Sequence, residues 1–274
     1  MSNAEAPLAT APAVLWERPS SAVALIRFNR PPRNVMSPEL MAGFTDAIAA
    51  ARADPTIRAL VLTGEGDHFC AGADLGSGEL PGVPMSLGGP PGEAERLRAV
   101  YAAFLALVDL PLPTVAAVNG AAVGGGLGLA AVCDFRVCTP ESRFLAPFVK
   151  LGVHPGMALT ETLPALVGLA RAKAMLMLGD AVSGRDAEAW GLAYRCVPAA
   201  ELLAEAIGLA ERLAAGAPAV VRWTKAAIHR AISLDVHRTA DTEALAQALT
   251  FGAADAEEGL AAFREKRSPN FRGR

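Results

Sequence analysis

Aromatic side chains are scarce in this chain, 5% of its 274 residues, although 52% are hydrophobic. A core of that composition is filled by alanine, leucine and valine, so its elements must approach closely and pack small side chains against one another. Cysteine is sparse as well. Cys70, Cys133, Cys138 and Cys196 sit within largely apolar runs, the pattern of reduced core thiols in a cytoplasmic protein rather than of a disulfide framework. Cys133 and Cys138 have no second pair to complete a zinc site, and none of His68, His154, His229 and His237 joins a cysteine at zinc-finger spacing, so no metal is expected. Neither sign of charge dominates: 25 lysines and arginines face 28 acids for a net −3. That balance argues against a nucleic-acid partner. No apolar run approaches the roughly 18 residues of a membrane span. Residues 1–12 hold neither the basic cluster nor the apolar stretch of a secretory signal.

Several catalytic signatures are missing too. There is no Walker loop and no G-x-S-x-G elbow. Gly126-Leu127-Gly128-Leu129-Ala130-Ala131 fits G-x-G-x-x-A, but Phe144 to Lys150, where an acid should close the next strand about 20 residues on, contains none. Dinucleotide binding is therefore set aside.

What the chain does have is a pair of glycine-rich turns, each after a short β-rich run. One reads His68-Phe69-Cys70-Ala71-Gly72-Ala73-Asp74-Leu75 and follows Ile57–Thr63. The other, Asn119-Gly120-Ala121-Ala122-Val123-Gly124-Gly125-Gly126, follows Thr114–Val118. Small residues after a strand let the backbone present N–H groups to a ligand. Two such turns can aim two amides at one oxygen, as in an oxyanion hole.

Around these turns the pattern predicts a disordered leader over 1–12, a strand–helix core over 13–198 and a helical region over 199–274. Val14–Glu17 and Ala22–Phe28 read as a hairpin. Ser37 is an N-cap, with Pro38 at the first helical position of a helix ending near Asp54-Pro55. Gly76 to Gly92 is dense in glycine and proline and reads as a flexible surface loop. Helices are expected over Glu201–Ala214, Pro218–Ile232, Asp241–Phe251 and Glu257–Lys266.

Asn29-Arg30-Pro31, the run from Phe69 to Leu75, Gly124-Gly125-Gly126, Cys133-Asp134, Leu151-Gly152 through Gly156, Val182 to Leu192 and the tail Phe263 to Gly273 fall in one familiar order. Together the chain resembles the crotonase superfamily of enoyl-CoA hydratases and isomerases, from about Leu15 to Arg274. The resemblance implies an α/β spiral of short β-β-α repeats with a C-terminal helical trimerisation region, assembled as a homotrimer or a hexamer. It implies an acyl-CoA thioester as substrate, with coenzyme A arriving as part of it and no permanently bound cofactor. Ala73 and Gly125 would supply the two oxyanion N–H groups. Ala71 and Leu75 would flank the pantetheine arm, and Arg33 and Lys266 would reach the nucleotide end.

The departures are as telling as the matches. Relatives place carboxylates at three positions, which here are Gly128, Phe148 after Pro147, and Gly156 after Pro155. All three lack an acid, which puts ordinary hydration in doubt, because proton transfer needs a titratable group within reach. Glycine at 128 is expected to remove a side chain and its charge beside the reacting carbons, and Phe148 to add an apolar ring opposite, so that the pocket favours apolar acyl groups. His154, next to Pro155-Gly156, and Glu161 are the substitute acid–base groups to test. Other enolate chemistry on acyl-CoA, such as decarboxylation or C–C cleavage, and catalytically silent acyl-CoA binding remain alternatives.

Overall fold

The computed structural model describes residues 11–73, 93–232 and 235–273, without the side chains of 93–100. The leader before residue 11, the Gly76–Gly92 loop and Leu75 lie outside the described residues.

Two sheets organise the chain. The larger runs β1 (Val14–Glu17), β2 (Val23–Phe28), β3 (Ala59–Gly64), β5 (Thr114–Val118), β7 (Phe135–Cys138) and β10 (Arg195–Cys196) in that order across the sheet. The smaller is ordered β4 (His68–Cys70), β6 (Ala121–Val123), β8 (Arg143–Leu145) and β9 (Val182–Ser183). Only the β1–β2 and β8–β9 pairs are antiparallel among these neighbours.

The chain shuttles between the sheets. β3 is followed by β4 and then helix α2 (Glu93–Val108), β5 by β6 and α3 (Gly125–Val132), and β7 by β8 and α4 (Leu159–Val167), with α5 (Leu169–Leu178) and α6 (Gly184–Trp190) ahead of β10. This strand–strand–helix unit is the spiral repeat that leaves no visible trace in the sequence. The turns at Gly72 and at Gly124–Gly126 each follow a strand of the small sheet, β4 and β6, on the way to the next helix.

The inner strands β2, β3, β5 and β7 of the large sheet are largely buried on both faces, and their side chains alternate with period two. Ala24, Ile26, Phe28, Leu60, Leu62, Ala116 and Val118 enter the main core. Val23, Leu25, Ala59, Val61, Val115 and Ala117 face the other way, against α7 (Leu202–Ala214) through Leu202, Ala206, Leu209 and Ala210. The first C-terminal helix thus covers the back of the sheet. α9 (Val236–Phe251) packs on α2 and α4, and α10 (Ala254–Glu265) closes on the turn around Phe148–Leu151.

The first long helix, α1 (Pro38–Ala53), starts as read, with the Ser37 hydroxyl accepting from the Leu40 N–H at 3.3 Å. α9 begins at Val236, ahead of the expected Asp241, because Asp235 caps it by accepting from the Arg238 N–H at 3.1 Å. The four cysteines are free. Burial pushes the thiols of Cys70 and Cys133 up to about 12, so they remain protonated, unreactive packing groups. No helix among the described residues is long and apolar enough to cross a membrane.

Candidate active site

The two glycine-rich turns meet. Gly72 has φ +73°, and a Cβ there would lie 2.5 Å from the Val123 carbonyl oxygen and 3.1 Å from the Gly125 nitrogen. Both the left-handed backbone and the close approach require glycine. The Gly72 carbonyl accepts from the Met36 N–H at 2.8 Å, and the Ala71 N–H donates to the Arg33 carbonyl at 2.9 Å. Buried Asn34 ties this corner together, accepting from the Arg30 N–H at 2.9 Å and donating to the carbonyls of Glu65 and His68 at 2.9 and 2.7 Å. Asn34 is a positioning residue that sequence reasoning passed over, although it stands just after the Asn29-Arg30-Pro31 turn.

On the opposing side, Gly124 takes φ +52° and ψ −111° as the N-cap of α3, and Gly125 is the first helical residue. An N–H at that position has no partner within its helix and lies at the positive end of the helix dipole. Gly126 sits so close to the Cys70 carbonyl that a Cβ would overlap it, so α3 starts directly against the end of β4. Ala73 and Gly125 are both half-exposed, and neither N–H donates to a backbone carbonyl among the described residues.

The far end of α3 is held by a buried cation. Arg136, 4% exposed, donates from Nη1 to the carbonyls of Ala130, Ala131 and Cys133 at 3.2, 3.2 and 2.5 Å, and from Nε to that of Leu192. These are the carbonyls a helix C-terminus leaves unpaired, and the guanidinium also complements the negative end of the dipole. Burial lowers its pKa from the usual arginine range, offset partly by Cys133 and Asp134.

The positions where carboxylates were sought are closely packed by side chains from elsewhere in the chain. Glycine at 128 opens no space: a Cβ there would overlap Cβ of Met157, which is 3% exposed. The close packing has a backbone cause. Met157 and Ala158 take φ +62° and +54° in succession, which swings the methionine over Gly128. Left-handed backbone costs a non-glycine residue about 1–2 kcal/mol, so the surroundings must hold it. The Phe148 ring lies against the start of α3, its Cζ 3.7 Å from where a Cβ on Gly124 would stand. At Gly156 the side-chain space is filled by the Tyr101 hydroxyl and the Gln247 amide. Tyr101 donates to Gln247 Oε1 at 2.5 Å, and Gln247 Nε2 donates to the His154 carbonyl at 2.9 Å. Tyr101 is one of only two tyrosines in the chain, and in an aromatic-poor sequence that scarcity was the available signal.

Glu243 of α9 stands behind the same turn, 1% exposed. Its Oε1 accepts from the Thr160 N–H at 2.8 Å and the Thr160 hydroxyl at 2.5 Å, capping the start of α4, while Oε2 is buried without a partner. Burial pushes this carboxyl up to about 7, with Glu161 adding repulsion and the Thr160 and Ala158 donors opposing. A carboxyl with a raised folded-state pKa binds its proton more tightly folded than unfolded. The resulting stabilisation is therefore full below pH 4.5 and lost as pH rises through about 7. Glu243→Gln, which copies the protonated form, should leave stability unchanged near pH 4.5. At pH 8 it should raise stability by roughly 3 kcal/mol, read as urea midpoints at both pH values; equal effects at the two would refute the assignment.

The remaining sequence-selected residues are dispersed. The His154 N–H donates to Thr250 Oγ1 at 2.9 Å, and its Nδ1 lies 2.7 Å from the Pro155 carbonyl. The ring lines a cavity of about 630 Å³ with Val153, Thr160, Lys173 and Phe271; none of Ala73, Gly125 and Gly128 is among its lining residues. Glu161 accepts from the Asp235 N–H at 2.7 Å. Arg33 is exposed beside Ala71, and Lys266 is exposed at the left-handed C-cap of α10.

Comparison with known proteins agrees with this architecture. The family profile described as Enoyl-CoA hydratase/isomerase matches residues 18–274. The chain is 36% identical over 252 residues to a crotonyl-CoA hydratase of Syntrophomonas wolfei, covering 91% of this chain and 94% of that one. Among solved structures, an enoyl-CoA hydratase from Mycobacterium avium subsp. paratuberculosis superposes with TM-score 0.82 at 28% identity, covering 95% of this chain and 98% of the other. An enoyl-CoA hydratase/isomerase from Pseudoalteromonas atlantica gives 0.81 at 31%, covering 95% and 100%.

Proposed function

Because this chain belongs to the enoyl-CoA hydratase/isomerase family, we propose that it binds an acyl-CoA thioester with the carbonyl oxygen between the N–H groups of Ala73 and Gly125. The observation carrying this reading is the seating of Gly72 against the Gly125 nitrogen, which brings two half-exposed turn amides into one corner. Charge moving onto the thioester oxygen as an enolate forms would meet two fixed donors and a helix N-terminus, a preorganised arrangement for stabilising it. The substrate class is a 2- or 3-enoyl-CoA. Arg33 and Lys266 are the proposed contacts for the nucleotide end, and Ala71 and Leu75 for the pantetheine arm.

A second reading, enolate chemistry other than hydration, is favoured by one specific feature: the three family carboxylate positions hold Gly128, Phe148 and Gly156, with Met157 and Tyr101 in the glycine spaces. Without a positioned acid–base group, hydration should run about 10²–10⁴-fold below that of a fully equipped site. The full chain is titrated with acetoacetyl-CoA, whose enolate absorbs in the near ultraviolet, and assayed with crotonyl-CoA by loss of enoyl absorbance. Saturable binding with slow or absent hydration is expected. Failure of any CoA thioester to bind overturns the reading.

Assembly as a homotrimer or hexamer belongs to the same proposal. It is supported by the exposed apolar face of α8 (Pro218–Ala231), which carries Val220, Trp223 and Ile228; light scattering on the purified chain measures it.

A further inference from the structure

The arrangement around Gly128 is a mutual exclusion. Gly128 lies one helical turn beyond Gly125 in α3, and residues three apart on a helix share a face. The space a side chain at 128 would enter is taken by Met157, whose Cβ would lie 2.3 Å from a Cβ at 128 and whose Cγ would lie 3.1 Å away. Met157 is held there from outside. Gln247 grips the His154 carbonyl, Tyr101 grips Gln247, and Glu243 grips Thr160. Those contacts come from α2, α9 and the first turn of α4, and they bracket the two left-handed residues Met157 and Ala158. On the neighbouring side the Phe148 ring abuts Gly124, and Met36 Sδ crowds the position of a Cβ on Gly125. Phe148, Met36 and Met157 thus stand against Gly124, Gly125 and Gly128, at the start of α3.

We propose that Met157 is a specificity-determining residue of the acyl site. It fills the volume one helical turn from the Gly125 donor, excludes both a carboxylate side chain and a nucleophilic water from that volume, and limits the bulk tolerated on carbon 3 of the thioester. The site therefore selects acyl groups that are slim and apolar at carbon 3 and that react without adding water. This assignment rests on the oxyanion reading given above.

The test is a variant cycle of Gly128→Glu, Met157→Gly and the pair. Glycine suits the left-handed backbone at 157, and with the methionine gone the nearest remaining neighbour of a Cβ at 128 is the residue-157 carbonyl oxygen at 3.4 Å, an ordinary contact. Gly128→Glu alone should lower the melting temperature and hydrate crotonyl-CoA no faster than wild type. Adding Met157→Gly should restore the melting temperature and raise hydration at least tenfold over either single variant. Met157→Gly alone should narrow the ratio of KM for 3-methylcrotonyl-CoA to KM for crotonyl-CoA at least fivefold; where turnover is too slow, the ratio of dissociation constants is measured instead. Gly128→Glu folding and hydrating as well as the pair, or an unchanged discrimination ratio in Met157→Gly, would overturn the assignment of Met157. In either case acetoacetyl-CoA binding by wild type would leave the oxyanion reading standing. A wild type that binds no CoA thioester overturns the oxyanion reading, and this one with it.

Discussion

Replacing Gly125 by proline should lower kcat/KM on the native thioester by about 10²–10³-fold, the usual effect of removing one oxyanion donor, while the protein stays folded. The geometry makes this a clean deletion of one N–H. Gly125 is the first residue of α3, the helical position at which proline is best tolerated because the missing N–H has no intrahelical partner. The residue before a proline is confined to extended backbone. Gly124, at φ +52° and ψ −111°, occupies the mirror image of that region, which glycine alone reaches freely. One neighbour must yield: Met36 Sδ stands where the new ring carbon would go, and a thioether chain can rotate away. Gly125→Ala supplies the control, since it meets Met36 in the same way but keeps its N–H. The expected pattern is a large loss in the proline variant, less than about tenfold in the alanine variant, and similar melting temperatures. Equal losses in the two would assign the effect to crowding at Met36 and remove Gly125 from the site.

Arg136→Met should destabilise the fold by roughly 3–5 kcal/mol, the range for truncating one side of a buried charged network. The methionine fills much of the volume but leaves the carbonyls of Ala130, Ala131, Cys133 and Leu192 without the donor they share. A buried acceptor left unpaired costs about 1–3 kcal/mol, and losing the arginine's own desolvation cost only partly offsets several of them. At this chain length each kcal/mol is worth about 2–4 °C, so calorimetry should show a fall of roughly 6–20 °C. Arg136→Lys should fall between, because an ammonium on a flexible stem cannot reproduce the forked geometry that spans the end of α3 and the loop at Leu192. A loss under 1 kcal/mol in Arg136→Met would mean that water or backbone relaxation satisfies those carbonyls.

Much of this was legible in the residue order. Pro38 after Ser37, the strand Thr114–Val118 and the helix Pro218–Ala231 carry their signals locally, in a cap, an apolar run and a proline at the first helical position. The glycine-rich segments likewise announced turns that expose amides, and the family followed from their order along the chain. The start of α9 was less visible, because Asp235 and Asp241 are both competent caps and only packing chooses between them.

The side-chain content of the site was decided elsewhere. The order of residues established that no carboxylate stands at 128, 148 or 156, but not what fills the space beside them. Whether a space is vacant depends on segments distant in the chain. Met157 covers Gly128 because its backbone turns left-handed, and that backbone is held by Tyr101 from α2 and by Gln247 and Glu243 from α9. Likewise nothing local to Arg136 forecasts a buried cation; its burial follows from a strand position beneath the carbonyls that end α3. Local sequence thus determined the turns, the helices and the family, since caps, glycines and periodicity act over a few residues. The tertiary structure alone decided what fills the pocket and which polar groups lie buried, since those depend on contacts between elements that sequence separation does not encode.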